Sequence, residues 1–265
     1  MAPIIELKNV RKTFGSQVAL DDVSFSIERG KTLVILGASG GGKSTLLKLM
    51  ITALQPDSGE IWLDGLEVSR LEEKALASVR RKFGVLFQAG ALLNSLTVAE
   101  NIALPIRYHS RLPQETIDIM VKMKLELVGL REAERKLPSQ LSGGMLKRAA
   151  LARALALDPL LVLYDEPSSG LDPIATSVID ELINDLKEKM GLTSVVITHD
   201  IQSAFRIADW IVLLDRGRVA AQGTVYDLLR LEDPLVRQFI TGSIQGPLEV
   251  RSSEVDYFSD LMTLG

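Results

Sequence analysis

Apolar side chains at Ile5, Leu7 and Val10, and again at Val23, Phe25 and Ile27, alternate with polar ones, the period-two pattern of strands with one buried face. Thr32 to Leu36 is instead a continuous apolar run ending at Gly37, which predicts a central strand buried on both faces. Lys43 to Leu54 carries leucines at helical spacing, and Glu60–Leu63 and Phe83–Phe87 read as further strands. From Thr97 to about Leu157 the pattern is mostly helical, with breaks expected at Pro105, Pro113 and Pro138. Strands are then expected at Leu160–Tyr164, Ser194–Thr198 and Ile211–Leu214, with helices at Ile174–Met190 and Ile201–Ala208. This order predicts an α/β core with a helical block, residues 97–157, inserted in its middle. The character changes at Gly242, and Gly246-Pro247 marks a turn. Beyond it Val255, Phe258 and Met262, with Tyr257, Leu261 and Leu264, form an apolar stripe if the segment is helical. Residues 242–265 therefore read as an appendage that docks on its own core, on a second copy or on another partner.

A chain of 265 residues with 46% hydrophobic and 24% charged side chains suits one large globular domain with a small extension. The net charge of −4 gives no sign of a nucleic-acid binder. With no cysteine, disulfides and thiolate metal sites are excluded, which fits a reducing compartment. Met1 to Glu6 lacks a basic stretch leading into an apolar one, so no secretory signal is expected. The most apolar stretch, Leu146 to Tyr164, is interrupted by Lys147, Arg148, Arg153, Asp158 and Pro159. It is therefore not expected to cross a membrane.

The candidate chemistry begins at Gly37-Ala38-Ser39-Gly40-Gly41-Gly42-Lys43-Ser44, a phosphate-loop pattern between an apolar strand and a helix. Glycines let successive backbone N–H groups turn inward onto phosphate oxygens, and the following helix adds its positive end. The Lys43 ammonium reaches β and γ phosphates, the Ser44 hydroxyl ligates Mg²⁺, and Thr45 adds a phosphate contact. Leu160 to Glu166 is an apolar strand ending in two carboxylates. Beside a phosphate loop, Asp165 reads as a Mg²⁺ holder and Glu166 as the general base for an attacking water. Ser142-Gly143-Gly144 opens a helix carrying Lys147, Arg148 and Arg153. On residues alone it serves as a helix cap more readily than as a second anion site.

With these motifs in this order, the chain resembles the nucleotide-binding subunits of ATP-binding-cassette transporters from Ile4 to about Thr241. Leu141 to Met145 resembles that family's signature, with Met145 where glutamine is usual. Phe14 resembles the aromatic residue that stacks on adenine. Gln88 resembles the Q-loop glutamine, a Mg²⁺ contact, and Ser169-Gly170-Leu171-Asp172 resembles the D-loop. His199 resembles the switch histidine at the γ-phosphate, whereas His109 reads as a surface residue. The resemblance implies a P-loop fold, a mixed sheet with an antiparallel subdomain and an inserted helical subdomain. It implies a head-to-tail homodimer in which each ATP lies between the phosphate loop of one copy and Ser142–Gly144 of the other. An integral-membrane permease would dock near residues 89–96, at the cytoplasmic face of an inner membrane.

Leu86-Phe87-Gln88-Ala89-Gly90-Ala91-Leu92, Met145 and the Gly246-Pro247-Leu248-Glu249 tail are similar to the ATPases of Mla-type phospholipid transporters. That similarity implies glycerophospholipid cargo, an MCE-domain protein and a small STAS-domain regulator as partners. Import of another small solute, or a cassette ATPase that drives no transport, remain the alternative readings.

Overall fold

The computed structural model describes residues 3–248; the apolar stripe expected at Val255 to Leu264 lies outside them. Two sheets form the frame. The first is antiparallel, ordered β2-β1-β4-β5, from β1 (Ile5–Phe14), β2 (Gln17–Ile27), β4 (Ser58–Leu63) and β5 (Leu66–Glu67). The second is ordered β10-β9-β3-β8-β7-β6, from β3 (Thr32–Gly37), β6 (Phe83–Leu86), β7 (Leu161–Asp165), β8 (Thr193–Ile197), β9 (Trp210–Asp215) and β10 (Arg218–Gly223). Strands β9, β3, β8, β7 and β6 run parallel, and β10 closes the edge antiparallel to β9.

The continuous apolar run of β3 is explained by its two buried faces. Val34 and Leu36 join the core beneath the helical block, while Leu33 and Ile35 join the core beneath the antiparallel sheet. Val162 and Tyr164 of β7 face the first core, and Leu161 and Leu163 the second. The same alternation that makes a one-sided strand amphipathic here divides two apolar sets between two cores.

Helices α1 (Lys43–Met50) and α2 (Glu73–Arg80) accompany the antiparallel sheet. The inserted block contains α3 (Val98–His109), α4 (Gln114–Leu127) and α5 (Gly143–Ala154), with 3-10 turns at Arg131–Ala133 and Pro138–Gln140. Helices α6 (Pro173–Met190), α7 (Ile201–Ile207), α8 (Val225–Arg230) and α9 (Pro234–Thr241) complete the described chain.

Two local expectations change. Pro105 does not break α3. A capping box between Thr97 and Glu100 fixes its start, and Val98, Ile102 and Ile106 recur every fourth residue on the buried face. That packing offsets the lost backbone hydrogen bond, a cost of about 3 kcal/mol. The helix expected to reach Leu54 ends at Met50, because Thr52 adopts a left-handed conformation at φ 58°. Strands β5 and β10 and helices α2, α8 and α9, of 2 to 8 residues, are additions that the sequence reading does not include.

Candidate nucleotide site

Strands β3, β8, β7 and β6 end at the same edge of the sheet, and each delivers one of the expected groups there. β3 runs into the glycine loop, β8 into His199, β7 into Asp165 and Glu166, and β6 into Gln88. Crevices at the carboxyl ends of parallel strands are where open α/β sheets bind ligands. Here the cleft has a volume of about 1360 Å³. Phe14, Gly37, Ala38, Ser39, Gly40, Gly42, Lys43, Ser44, Thr45, Gln88, Asp165, Glu166 and His199 all line it. Gly41 lies behind this surface: its N–H donates to Ala38 O at 3.1 Å and its carbonyl accepts from Gly217 N at 3.1 Å.

The loop leads straight into α1, with Gly42 as N-cap at φ 102°. A Cβ there would stand 2.7 Å from Ala19 O, so only glycine fits without backbone movement. The Lys43 ammonium donates to Gly37 O at 2.7 Å and Ala38 O at 2.9 Å, which holds it over the loop. Burial lowers its pKa from the ordinary value, and the nearby Glu166 and Asp165 carboxylates oppose that shift. Asp165 moves the other way. Burial and then the adjacent Glu166 raise its pKa, while Lys147 and Lys43 counter them.

Glu166 has φ 48°, left-handed backbone that is uncommon for a non-glycine residue. Its N–H donates to Ile197 O at 2.9 Å, which ties the end of β7 to β8. Its Oε1 lies 2.9 Å from His199 Nδ1. The two sequence-distant groups therefore form one pair at the mouth of the cleft. Phe14 is 49% exposed at the rim, with Lys12 Nζ 5.7 Å from the ring centre, so it is not a core side chain.

Ser142, Gly143 and Gly144 are not part of this cleft. They line a separate one of about 470 Å³ with Met145, Gly170 and Asp172. Ser142 Oγ caps α5 by accepting from Met145 N at 3.3 Å. Asp172 Oδ1 caps α6 by accepting from Ile174 N at 2.9 Å and Ala175 N at 3.0 Å. The signature group thus stands apart from the main cleft, together with Gly170, Leu171 and Asp172 of the expected D-loop.

Two residues beyond the expected nucleotide contacts bear on the main cleft: Gly217 lines it, and Lys147, expected only as one of the basic residues on the helix after Ser142, holds main-chain carbonyls behind it. Gly217 turns β9 into β10 at φ 78° and lies against Ala19 and Gly41. Lys147 is buried and donates to two main-chain carbonyls, those of Gln88 and Glu166. Its position one turn before Ala150 and Leu151 on the buried face of α5 was the available signal. A charge on such a face needs a polar partner.

A glycine loop at the end of a parallel strand, with lysine, paired carboxylates and histidine converging on it, defines a P-loop nucleotide hydrolase. The ABC transporter profile matches residues 20–169. The chain is 45% identical over 258 residues to the intermembrane phospholipid transport system ATP-binding protein MlaF of Haemophilus influenzae, covering 97% of this chain and 98% of that one. It is 42% identical over 248 residues to the probable ribonucleotide transport ATP-binding protein mkl of Mycobacterium leprae, covering 94% of this chain and 72% of that one. Among solved structures, the dimeric post-hydrolysis state of the ATP-binding cassette MJ0796 bound to ADP and Pi is similar, with a TM-score of 0.77 and 34% identity. That similarity covers 83% of this chain and 98% of the cassette. The chain belongs to the ABC transporter family, and its chemistry is ATP binding and hydrolysis.

Proposed function

We propose that this chain is the ATPase subunit of an Mla-type transporter that moves phospholipid between bacterial membranes. The observation that carries this reading is 45% identity along nearly the whole of both chains to a phospholipid-transport ATPase. The ribonucleotide reading suggested by the mycobacterial relative is weaker, because this chain spans only 72% of that protein.

In this reading the amides of Gly37 to Gly42, with Lys43, Ser44 and Thr45, hold the phosphates, and Phe14 stacks on the adenine. Ser44, Gln88 and Asp165 offer only oxygen donors, the set that suits Mg²⁺. Among the described residues no group of three His, Cys, Asp or Glu side chains converges. With Asp165 as the one carboxylate of these three, a cation there would take its remaining positions from phosphate and water rather than from a protein cage. When bound, Mg²⁺ neutralises charge on the transferred phosphoryl group. Glu166 accepts the proton of the attacking water, a contribution of about 10²–10⁴ in rate, and His199 orients at the γ-phosphate.

Ser142 to Gly144 serve the phosphate of a second copy, so two chains make two composite sites. The separation of the two clefts within one chain supports that division. Residues 97–157 act as the helical subdomain of a 1–241 ATPase unit, and 242–265 as a docking extension. The groove beside the Gln88 loop, lined by Arg81, Phe83, Leu104, Tyr108 and Arg153, supports permease docking next to residues 89–96. Tyr108 is 83% exposed there. No helix among the described residues is long and apolar enough to cross a membrane. In this reading the chain sits at the cytoplasmic face of the inner membrane through its permease, with an MCE-domain protein and a STAS-domain regulator in the same assembly.

The test is the cargo of the assembled complex reconstituted in vesicles. ATP-dependent transfer of fluorescent phospholipid is expected. ATP-dependent uptake of labelled ribonucleotide without lipid transfer would refute the lipid reading.

A further inference from the structure

Lys147 stands on α5, five residues beyond Ser142, and its side chain is only 6% exposed. Its ammonium donates to Gln88 O at 2.5 Å and to Glu166 O at 3.2 Å. The two acceptors are linked again by another route. Gln88 Nε2 donates to Ser169 Oγ at 3.4 Å, and Ser169 N donates to Glu166 O at 3.2 Å. The result is a closed ring. It joins the helix that begins with Ser142–Gly144, the loop after β6, the end of β7 and the turn before α6. Arg153, further along α5, ties the same β6 loop down by donating to Ala91 O at 2.8 Å and Gly90 O at 3.1 Å.

A buried ammonium is costly unless its hydrogens are used, and here they are spent on main-chain carbonyls rather than on a carboxylate. Main-chain contact fixes where the neighbouring side chains begin. Glu166 sits in left-handed backbone, a conformation that persists only when its surroundings hold it. Lys147 is one of the groups that hold it. Burial lowers the pKa of this lysine, and the Asp165 and Glu166 carboxylates oppose that shift and favour the charged form.

We propose that Lys147 is a positioning residue: it locks the main chain of Glu166 to that of Gln88, so that the placement of the proposed base follows the placement of the permease-facing loop. The inference rests on the reading of Glu166 as general base. It assigns no contact between Lys147 and nucleotide. Its loss therefore slows the chemical step without weakening ATP binding, a separation a purely structural lysine would not produce.

The experiment uses the full chain assembled with its membrane partner and compares Lys147→Met, Lys147→Arg and Glu166→Gln. Phosphate release gives kcat and KM, and a fluorescent ATP analogue gives Kd. Lys147→Met keeps the stem and removes the donors. It is expected to lower kcat by about 10–100-fold, the range for a hydrogen bond from a charged donor, with Kd within about twofold of the parent. Lys147→Arg, which still presents several donors, restores most of that loss. Turnover of Lys147→Met within about twofold of the parent would overturn the proposal. So would equal losses of kcat and nucleotide binding, or a folded, ATP-binding Lys147→Arg as slow as the methionine variant. Glu166→Gln separates the two layers. Parent-like turnover of that variant removes the base assignment itself, whereas a silent Glu166→Gln beside a fully active Lys147→Met removes only the role of Lys147.

Discussion

Asn101 is fully buried in the first turns of α3, and its carboxamide holds the loop that follows Gln88. Its Oδ1 accepts from Leu93 N at 2.8 Å. Its two amide hydrogens are shared among Leu93 O and Leu96 O, both at 3.1 Å, and Thr97 O at 3.0 Å. The substitution Asn101→Ala removes all four contacts, but they are not equally costly. Leu93 O still accepts from Leu96 N, and Thr97 O still accepts from Asn101 N. The groups left without a protein partner are Leu93 N–H and Leu96 O. Each orphaned group costs about 1–3 kcal/mol, and the exposed side of the loop admits some water, so the total is about 3 kcal/mol. For a chain of this size that lowers Tm by about 6–12 °C. Asn101→Asp is the sharper test. It has the same shape and keeps the acceptor for Leu93 N, but turns an oxygen toward three carbonyl oxygens, so it destabilises more than alanine. Calorimetric melting of the three proteins checks both statements. An alanine variant melting within about 2 °C of the parent, or an aspartate variant no worse than alanine, would show that the loop is not held by this side chain.

Two further predictions concern the wall of the cleft and the strand that carries its rim residue Phe14. A Cβ at Gly217 would stand 2.6 Å from Ala19 O at a φ of 78°, while the Gly217 N–H supports Gly41 of the phosphate loop. Gly217→Ala therefore costs at least about 1–2 kcal/mol in backbone strain and weakens nucleotide binding by about tenfold; a parent-like Kd for a fluorescent ATP analogue refutes this. At the base of the rim, hydrogen bonds from Lys12 and then from the Thr13 side chain and amide hold the Asp57 pKa down at about 2 from an ordinary 3.8. Its contribution is present above the ordinary value and lost as pH falls through the folded one. Stability is thus expected to fall between about pH 4 and pH 2 more steeply in the parent than in Asp57→Asn. Superimposable acid-unfolding curves would refute the assignment.

Parts of the site legible in the sequence are those whose chemistry is local. A phosphate loop needs consecutive inward amides, so glycines 37 and 40 to 42 and Lys43 announce it within a few residues. A strand ending in Asp165 and Glu166 carries its own direction. Whether those elements meet is a question of strand order, and the sequence does not print that order. The parallel arrangement β9-β3-β8-β7-β6 brings Lys43, His199, Glu166 and Gln88 to one edge. The identification of Gln88 and His199 came from family resemblance, not from spacing. Short elements escaped for a related reason: α8 and β10 are each 6 residues long and are stabilised by what they pack on, not by their own periodicity.

Hidden most completely is the supporting layer, because its residues act on main-chain atoms. A carbonyl is present at every position, so no residue type marks Gln88 O or Glu166 O as an acceptor, and Lys147 has no sequence partner to betray it. Asn101 and Gly217 are alike in this respect: one satisfies loop carbonyls and an amide, and the other makes room for one at Ala19. In this fold the groups proposed to touch nucleotide come from strand ends, whereas their alignment is set by side chains and glycines that meet backbone. Substitutions in that second set should alter turnover or stability at positions that a motif search passes over. The proposed base is the point where the two sets meet, since the left-handed backbone of Glu166 is held by Ile197 O on one side and by the Lys147 ammonium on the other.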